Sequence, residues 1–229
     1  MKLGIMQPYF MPYIGYWQLM AAVDTYVVYD DVNYIKGGWV ARNNILLNGQ
    51  KHMFTITLNG PSPNKLFNEI TIKDNFKKFS RLIESAYKKA PYYKEVSILL
   101  EKIYVYEDRS LGAFMMNSFQ IVLDYLDIDT KLILSSSIEK DNTLKAENKV
   151  KHICNLLGAD TYYNAIGGQK IYNKADFKSS KIDLFFLKTI DTEYSQFQNN
   201  FVHGLSFIDI LMFNSVGEIR TLLNNYSLI

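Results

Sequence analysis

A single cysteine, Cys154, stands in 229 residues. No intramolecular disulfide can form, and such usage suits a reducing cytoplasm. Charge of one sign is also missing. Lys and Arg number 25 against 23 Asp and Glu, a net +2, which gives no reason to expect nucleic acid or an anionic membrane as partner. No run reaches the roughly 18 apolar residues of a membrane span. The opening Met-Lys-Leu-Gly-Ile-Met-Gln-Pro turns polar too soon for a secretory signal, so a cytoplasmic location is expected. Histidine is scarce: His52, His152 and His203 hold no metal-ligand spacing with Cys or Asp, and no metal is expected. There is no Walker A loop, no Gly-x-Ser-x-Gly elbow and no complete Gly-x-Gly-x-x-Gly. The common hydrolases and dehydrogenases are thereby excluded.

What is present is an ordinary globular composition, 48% hydrophobic and 21% charged, with 17 Tyr and 14 Phe. Apolar runs at 3–6, 25–30, 129–135, 161–164 and 182–187 read as buried strands. Between them lie helical stripes at 14–23, 75–90, 91–105, 110–126, with Ser110 as N-cap, and 145–157, stopped by Gly158. The first of these reads as amphipathic. Asn48-Gly49 marks a hairpin over about 44–58, and 67–72 reads as a short strand. The tail is helical over 205–212 and 216–225, after a loop from Gln196 to Gly204. Helices alternating with buried strands predict an α/β fold: a Rossmann-like, mostly parallel sheet flanked by helices, with a β-hairpin insertion and a helical C-terminal lobe. Residues 1–170 would form the Rossmann-like domain, and 171–229 a strand and helical lobe packed on it.

In open parallel sheets ligands bind beyond the carboxyl ends of the strands. Gln7, Asp30, Asp31, Lys36, Trp39, Arg42 and Asn43 are expected to converge on that rim. Asp30-Asp31 at a strand end could bind a metal, orient an amine or serve as a base; the ordinary alternative is a turn cap and a solvated neighbour. Lys36, Arg42 and Lys51 beside glycines suit a diphosphate, or are ordinary surface charge. Gly167-Gly168 could offer backbone N–H groups to an anion, or simply turn the chain. Ser135-Ser136-Ser137 suits caps as readily as ligands. His203, in a polar loop just before the last helices with Asp209 about two turns on, is the histidine best placed as a base. Cys154 lies on an apolar helix face and reads as core.

Five groups of residues carry a likeness. They are Gln7-Pro8-Tyr9-Phe10-x-Pro12-Tyr13-Ile14-Gly15-Tyr16, Tyr29-Asp30-Asp31-Val32-Asn33-Tyr34, Trp39-x-x-Arg42-Asn43, Asn164-x-Ile166-Gly167-Gly168 and Leu205-Ser206-x-Ile208-Asp209. Together they resemble the WbqC-like family over essentially the whole length. The resemblance implies a place in O-antigen (lipopolysaccharide) and other surface-polysaccharide gene clusters. It also implies transfer of glycine or another aminoacyl group onto an amino sugar. A weaker likeness, to the cytidylyltransferase and pantothenate-synthetase group, rests on the strand–loop–helix start. That group's His-x-Gly-His signature would here be Tyr13 and Tyr16 with Gly15 retained. Tyrosine cannot replace a cationic phosphate clamp, which argues against adenylylation while leaving the fold inference intact.

The expected activity is therefore an aminoacyl or acyl transferase that forms an amide on the amine of a nucleotide-linked amino sugar. Asp31, Asp30 or His203 would act on the amine. Arg42, Asn43 and the Gly167-Gly168 amides would hold phosphate or oxyanion. Tyr13, Tyr16 and Trp39 would line the base or sugar pocket, with Gln7, Lys36, Asn164, Ser206 and Asp209 as further substrate contacts. The donor would be an acyl carrier-protein or coenzyme A thioester, or an adenylate made from ATP. Two alternatives stand beside this: a non-catalytic sugar-nucleotide-binding or assembly protein, and a nucleotidyltransferase-like ATP-dependent amide ligase.

Overall fold

The computed structural model describes residues 1–197 and 200–229; of the expected loop over 196–204, residues 198 and 199 lie outside the described residues. In chain order the elements are β1 (Lys2–Met6), α1 (Ile14–Ala21), β2 (Thr25–Val28), the hairpin β3 (Arg42–Leu47) and β4 (Gln50–Thr55), β5 (Leu58–Asn59), β6 (Thr71–Ile72), and the helices α2 (Lys77–Tyr87), α3 (Tyr93–Tyr104) and α4 (Leu111–Leu126). There follow β7 (Lys131–Leu134), α5 (Ala146–Leu156), β8 (Thr161–Ala165), α6 (Lys174–Ser179), β9 (Asp183–Thr189), α7 (Phe207–Phe213), α8 (Val216–Leu223) and β10 (Tyr226–Leu228).

The main sheet runs β10-β9-β8-β1-β2-β7. All pairs are parallel except β10 with β9. Counting only its own strands, the order is third, second, first, fourth, fifth, sixth, that of the doubly wound dinucleotide-binding fold. The chain reverses direction across the sheet between β1 and β8. The short runs Leu3-Gly4-Ile5 and Tyr26-Val27-Val28 are continuously buried because helices cover both faces. Leu3, Ile5, Val27, Tyr162 and Leu184 pack with Val150, Ile153, Cys154 and Phe177 of α5 and α6. The opposite face, from Tyr26 and Val28, joins the larger core beneath α1, α4, α7 and α8.

α1 is not amphipathic. Gly15 through Met20 are all buried, because β8, β9 and α8 pack around the helix, and a helix apolar all round belongs in a core. Trp17 stacks on Phe207 with ring centroids 4.8 Å apart, and its indole N–H donates to the Pro12 carbonyl at 3.2 Å. Gln18, wholly buried, donates to the carbonyls of Leu222 and Asn225 at 2.9 and 3.0 Å, closing the end of α8.

The long excursion between β2 and β7 carries the hairpin, with Asn48 (φ 51) and Gly49 (φ 74) at its turn, as that dipeptide demands. The stretch 67–72 is a 3-10 turn at Phe67–Glu69 followed by a strand of two residues that pairs with β5. Phe67 is drawn into the core, which breaks the alternation a longer strand needs. Ser110 occupies the N-cap position of α4 without a side-chain capping bond. Gly158 (φ 70) ends α5, a conformation that favours glycine.

Candidate functional site

Three parallel strand ends gather polar residues. β2 leads into Tyr29-Asp30-Asp31, β7 into a 3-10 turn at Ser135–Ser137, and β8 into another at Ile166–Lys170. The first two enclose a cleft of about 760 Å³ whose walls include Tyr29, Asp31, Asn33, Asn68, Ser136, Lys140, Lys145 and Lys149. That volume suits a small-molecule or cofactor site.

The centre of the cleft is a charged trio. Asp31 Oδ2 lies 2.8 Å from Lys140 Nζ and 3.1 Å from Lys149 Nζ. Burial alone would raise the Asp31 carboxyl, but Lys140, Ser135 and Lys149 beside it hold it below the ordinary aspartate value. Lys140 also donates to the carbonyls of Ser135 and Ile138, so its three N–H groups are committed. Lys149 is held differently. It bonds the Asp31 carboxylate at 3.1 Å and the Asp31 carbonyl at 3.4 Å, and stands 5.4 Å from the centre of the Tyr29 ring, which leaves it capacity for a ligand. Lys149 belongs to the first turn of α5, and no side chain caps that helix start. Two ammonium groups against one carboxylate, beside an uncapped helix N-terminus with Lys145, favour an anion. An Asp31 whose charge is neutralised twice over is a poor base; it fixes the lysines.

Asp30 faces inward. It is 1% exposed and accepts from the Ser136 N–H (2.9 Å) and hydroxyl (2.6 Å). A Cβ on Gly112 of α4 would lie 2.8 Å from Asp30 Cβ. Asp30 thus ties the end of β2 to the end of β7, at a place where α4 approaches closely. Ser136, from the serine run, joins both halves: its backbone and side chain hold Asp30, and it lines the cleft.

The other expected site residues scatter. Gln7 is half-buried at the end of β1 beside the reversal point. Tyr16 is buried in the core and donates to the Gln7 carbonyl at 3.1 Å. Tyr13 stays exposed at the start of α1. Lys36 and Trp39 are exposed on the loop after β2; the Arg42 guanidinium stands 5.4 Å from the centre of the Trp39 ring and donates to the Gly37 carbonyl. Asn43 is buried and donates to the Met11 carbonyl at 2.7 Å, the same carbonyl that accepts from Ser206 at 2.7 Å. Both residues therefore pin the Pro8–Pro12 loop. Asn164 is buried and donates to the Tyr162 hydroxyl at 2.6 Å. A Cβ on Gly168 would fall 2.4 Å from Asn164 Oδ1, whereas one on Gly167 meets nothing within 4 Å.

Asp209 is fully buried. It accepts from Tyr87 (2.8 Å), Tyr194 (2.7 Å) and Gln196 (2.6 Å). Burial raises its carboxyl above the ordinary value, opposed in part by those three bonds. His203 is exposed, 3.9 Å from Glu193, beyond the end of β9. The pocket that His203 lines shares no residue with the cleft that Asp31 lines, so the two do not form one site. Cys154 is buried, and burial pushes its thiol up to about 12.

Sequence reading missed Lys140 and Lys149. Lys140 carries no local signal. Lys149 does: it shares a helix face with Val150, Ile153 and Cys154, all buried, and a lysine on an apolar stripe is paired or functional.

The sheet order defines a mostly parallel α/β protein, and its carboxyl rim carries a cleft lined by three lysines. The family model of the WbqC-like protein family matches residues 7–221, and the chain belongs to that family. It is 25% identical over 215 residues to the uncharacterized protein Rv1507c of Mycobacterium tuberculosis, covering 92% of each chain. No solved structure matches the chain significantly.

Proposed function

We propose that this chain is a transferase that forms an amide on the amine of a nucleotide-linked amino sugar, with the rim cleft holding the sugar's diphosphate. The observation that carries the reading is Lys149, fixed by Asp31 over the Tyr29 ring with α5's uncapped N-terminus beside it. This is an anion cradle at the strand ends where doubly wound folds bind ligands. Family membership supports the setting, surface-polysaccharide synthesis. In the reaction the neutral amine nitrogen attacks the donor's acyl carbon and the C–N bond forms; the bond to the thiolate or nucleotide leaving group breaks, and the proton shed by the nitrogen passes to that leaving group or to water. Asp31 here positions cations rather than accepting the amine's proton.

A second reading is favoured by that same engagement of Asp31: binding of the sugar nucleotide without chemistry. One experiment separates the two. The protein is titrated calorimetrically with uridine- and thymidine-diphosphate amino sugars. It is then incubated with each sugar plus a coenzyme A thioester, a carrier-protein thioester, or ATP with free amino acid, and the sugar's mass is followed. Binding with a mass gain supports the transferase, and binding without product under every donor supports the second reading. If no sugar nucleotide binds, or Lys149→Met leaves affinity unchanged, the cleft assignment fails.

A further inference from the structure

A second pocket lies across the sheet from the cationic cleft, at the end of β9. It holds about 150 Å³, and cavities of about that size take a molecule no larger than benzene. Its lining includes aliphatic side chains from Ile14, Leu205, Ile210 and Leu222. Its sides are aromatic: Tyr194 packs edge-on against Phe201 with centroids 4.9 Å apart, and Phe201 likewise against His203 at 4.7 Å. Tyr13 closes the side toward α1. Asp191, whose carboxylate makes no hydrogen bond or ion pair among the described residues, stands in the wall, and among those residues no Lys or Arg does. Lys51 reaches Gly204 from another element but is not part of the wall.

Two features show that this shape is held. The Tyr194 hydroxyl is fixed on buried Asp209 at 2.7 Å, which sets the plane of the ring. Gly15 leaves the space in which Tyr13 and Thr189 meet: a Cβ there would lie 2.5 Å from the Tyr13 ring and 2.6 Å from Thr189 Oγ1. Both side chains line the pocket.

We propose that this pocket binds a small primary ammonium carried on a short apolar stem. An aromatic lining and a carboxylate attract a cation, and the aliphatic part of the lining takes the stem. A cationic cleft and an ammonium pocket on one sheet rim are two separate sites, as a two-substrate reaction requires. The ligand class assigned to the pocket does not depend on which reaction the cleft serves.

The test uses n-butylammonium and its neutral analogue 1-butanol, with binding read by saturation-transfer NMR on the full chain. The wild type is expected to hold butylammonium roughly tenfold more tightly than butanol, the ratio that a cation–ring and carboxylate contact supplies. Asp191→Asn, an exposed substitution that leaves the fold intact, should abolish that preference. Gly15→Ala, checked for folding by circular dichroism, should weaken both ligands. Lys149→Met should change neither, so failure of the cleft reading leaves this result standing. Equal binding of the two ligands to the wild type, no binding of either, or an Asp191→Asn protein that keeps the preference overturns the proposal.

Discussion

Lys140 Nζ lies 2.8 Å from Asp31 Oδ2, with the lysine side chain 1% exposed. An ammonium so deeply placed depends on its partner. Removing one member of a buried pair leaves the other charge uncompensated, at a cost of about 3–5 kcal/mol. Asp31→Asn should therefore lose stability in that range in urea denaturation, because it strands two lysines. Lys140→Met should lose less, since Asp31 keeps Lys149 at 3.1 Å. Equal losses would mean the trio does not act as a unit.

The pH dependence of that pair has a definite sign. The folded Asp31 carboxyl lies below its ordinary value of 3.8. Its stabilisation is therefore complete above 3.8 and is lost as pH falls through the folded value. Acid unfolding of the wild type should be steeper below pH 3.8 than that of Asp31→Asn, measured by circular dichroism at matched ionic strength.

Asp209 runs the other way. Its carboxyl is raised by burial, so the folded chain binds a proton that the unfolded chain has released. Its contribution opposes folding at neutral pH, and that penalty is relieved as pH falls toward 3.8. The stability difference between wild type and Asp209→Asn should thus favour the wild type more at pH 4 than at pH 7. Chemical denaturation of both proteins at the two values checks this, and a difference independent of pH would contradict it.

Neighbouring glycines after β8 should behave oppositely. Alanine at Gly168 must displace Asn164, which is buried and bonded to Tyr162; such overpacking costs about 1–3 kcal/mol. Alanine at Gly167 meets open space and should stay within about 0.5 kcal/mol of the wild type. Thermal midpoints of the two variants decide it.

Which features were legible follows from how far apart the partners sit in the chain. The alternation of buried runs and helical stripes is local, so the parallel sheet and the Asn48-Gly49 hairpin could be read directly. β10 could not. Tyr226-Ser227-Leu228 is too short to show a period and is a strand only because β9 offers it an edge. α6 escaped because a single buried side chain, Phe177, anchors it. At the rim, Asp31 was visible at a strand end, but its lysines lie 109 and 118 residues on, in a chain where lysine is common. Asn43 read as a rim residue and Ser206 as a substrate contact because their polarity was visible and the carbonyl that consumes it was not.

That carbonyl gives the last prediction. Met11 is buried with φ 46, and its oxygen accepts from both Asn43 Nδ2 and Ser206 Oγ at 2.7 Å. Each donor has another task. Asn43 Oδ1 accepts from the Asn44 N–H, and Ser206 Oγ accepts from the Ile208 N–H at the start of α7. Asn43→Ala and Ser206→Ala should each cost about 1–3 kcal/mol. Either one leaves the Met11 carbonyl with a partner, whereas the double variant leaves it buried with neither. In a double-mutant cycle the side tasks cancel, because each is lost once with its own residue. The double variant should then fall below the sum of the singles by about 0.5–1.5 kcal/mol, the cost of orphaning one buried carbonyl. Strict additivity in urea denaturation would show that water replaces the lost donors. The Pro8–Pro12 loop would then be held by the Phe10 N–H on the Val40 carbonyl and the Phe207 N–H on the Pro12 carbonyl, not by the shared carbonyl.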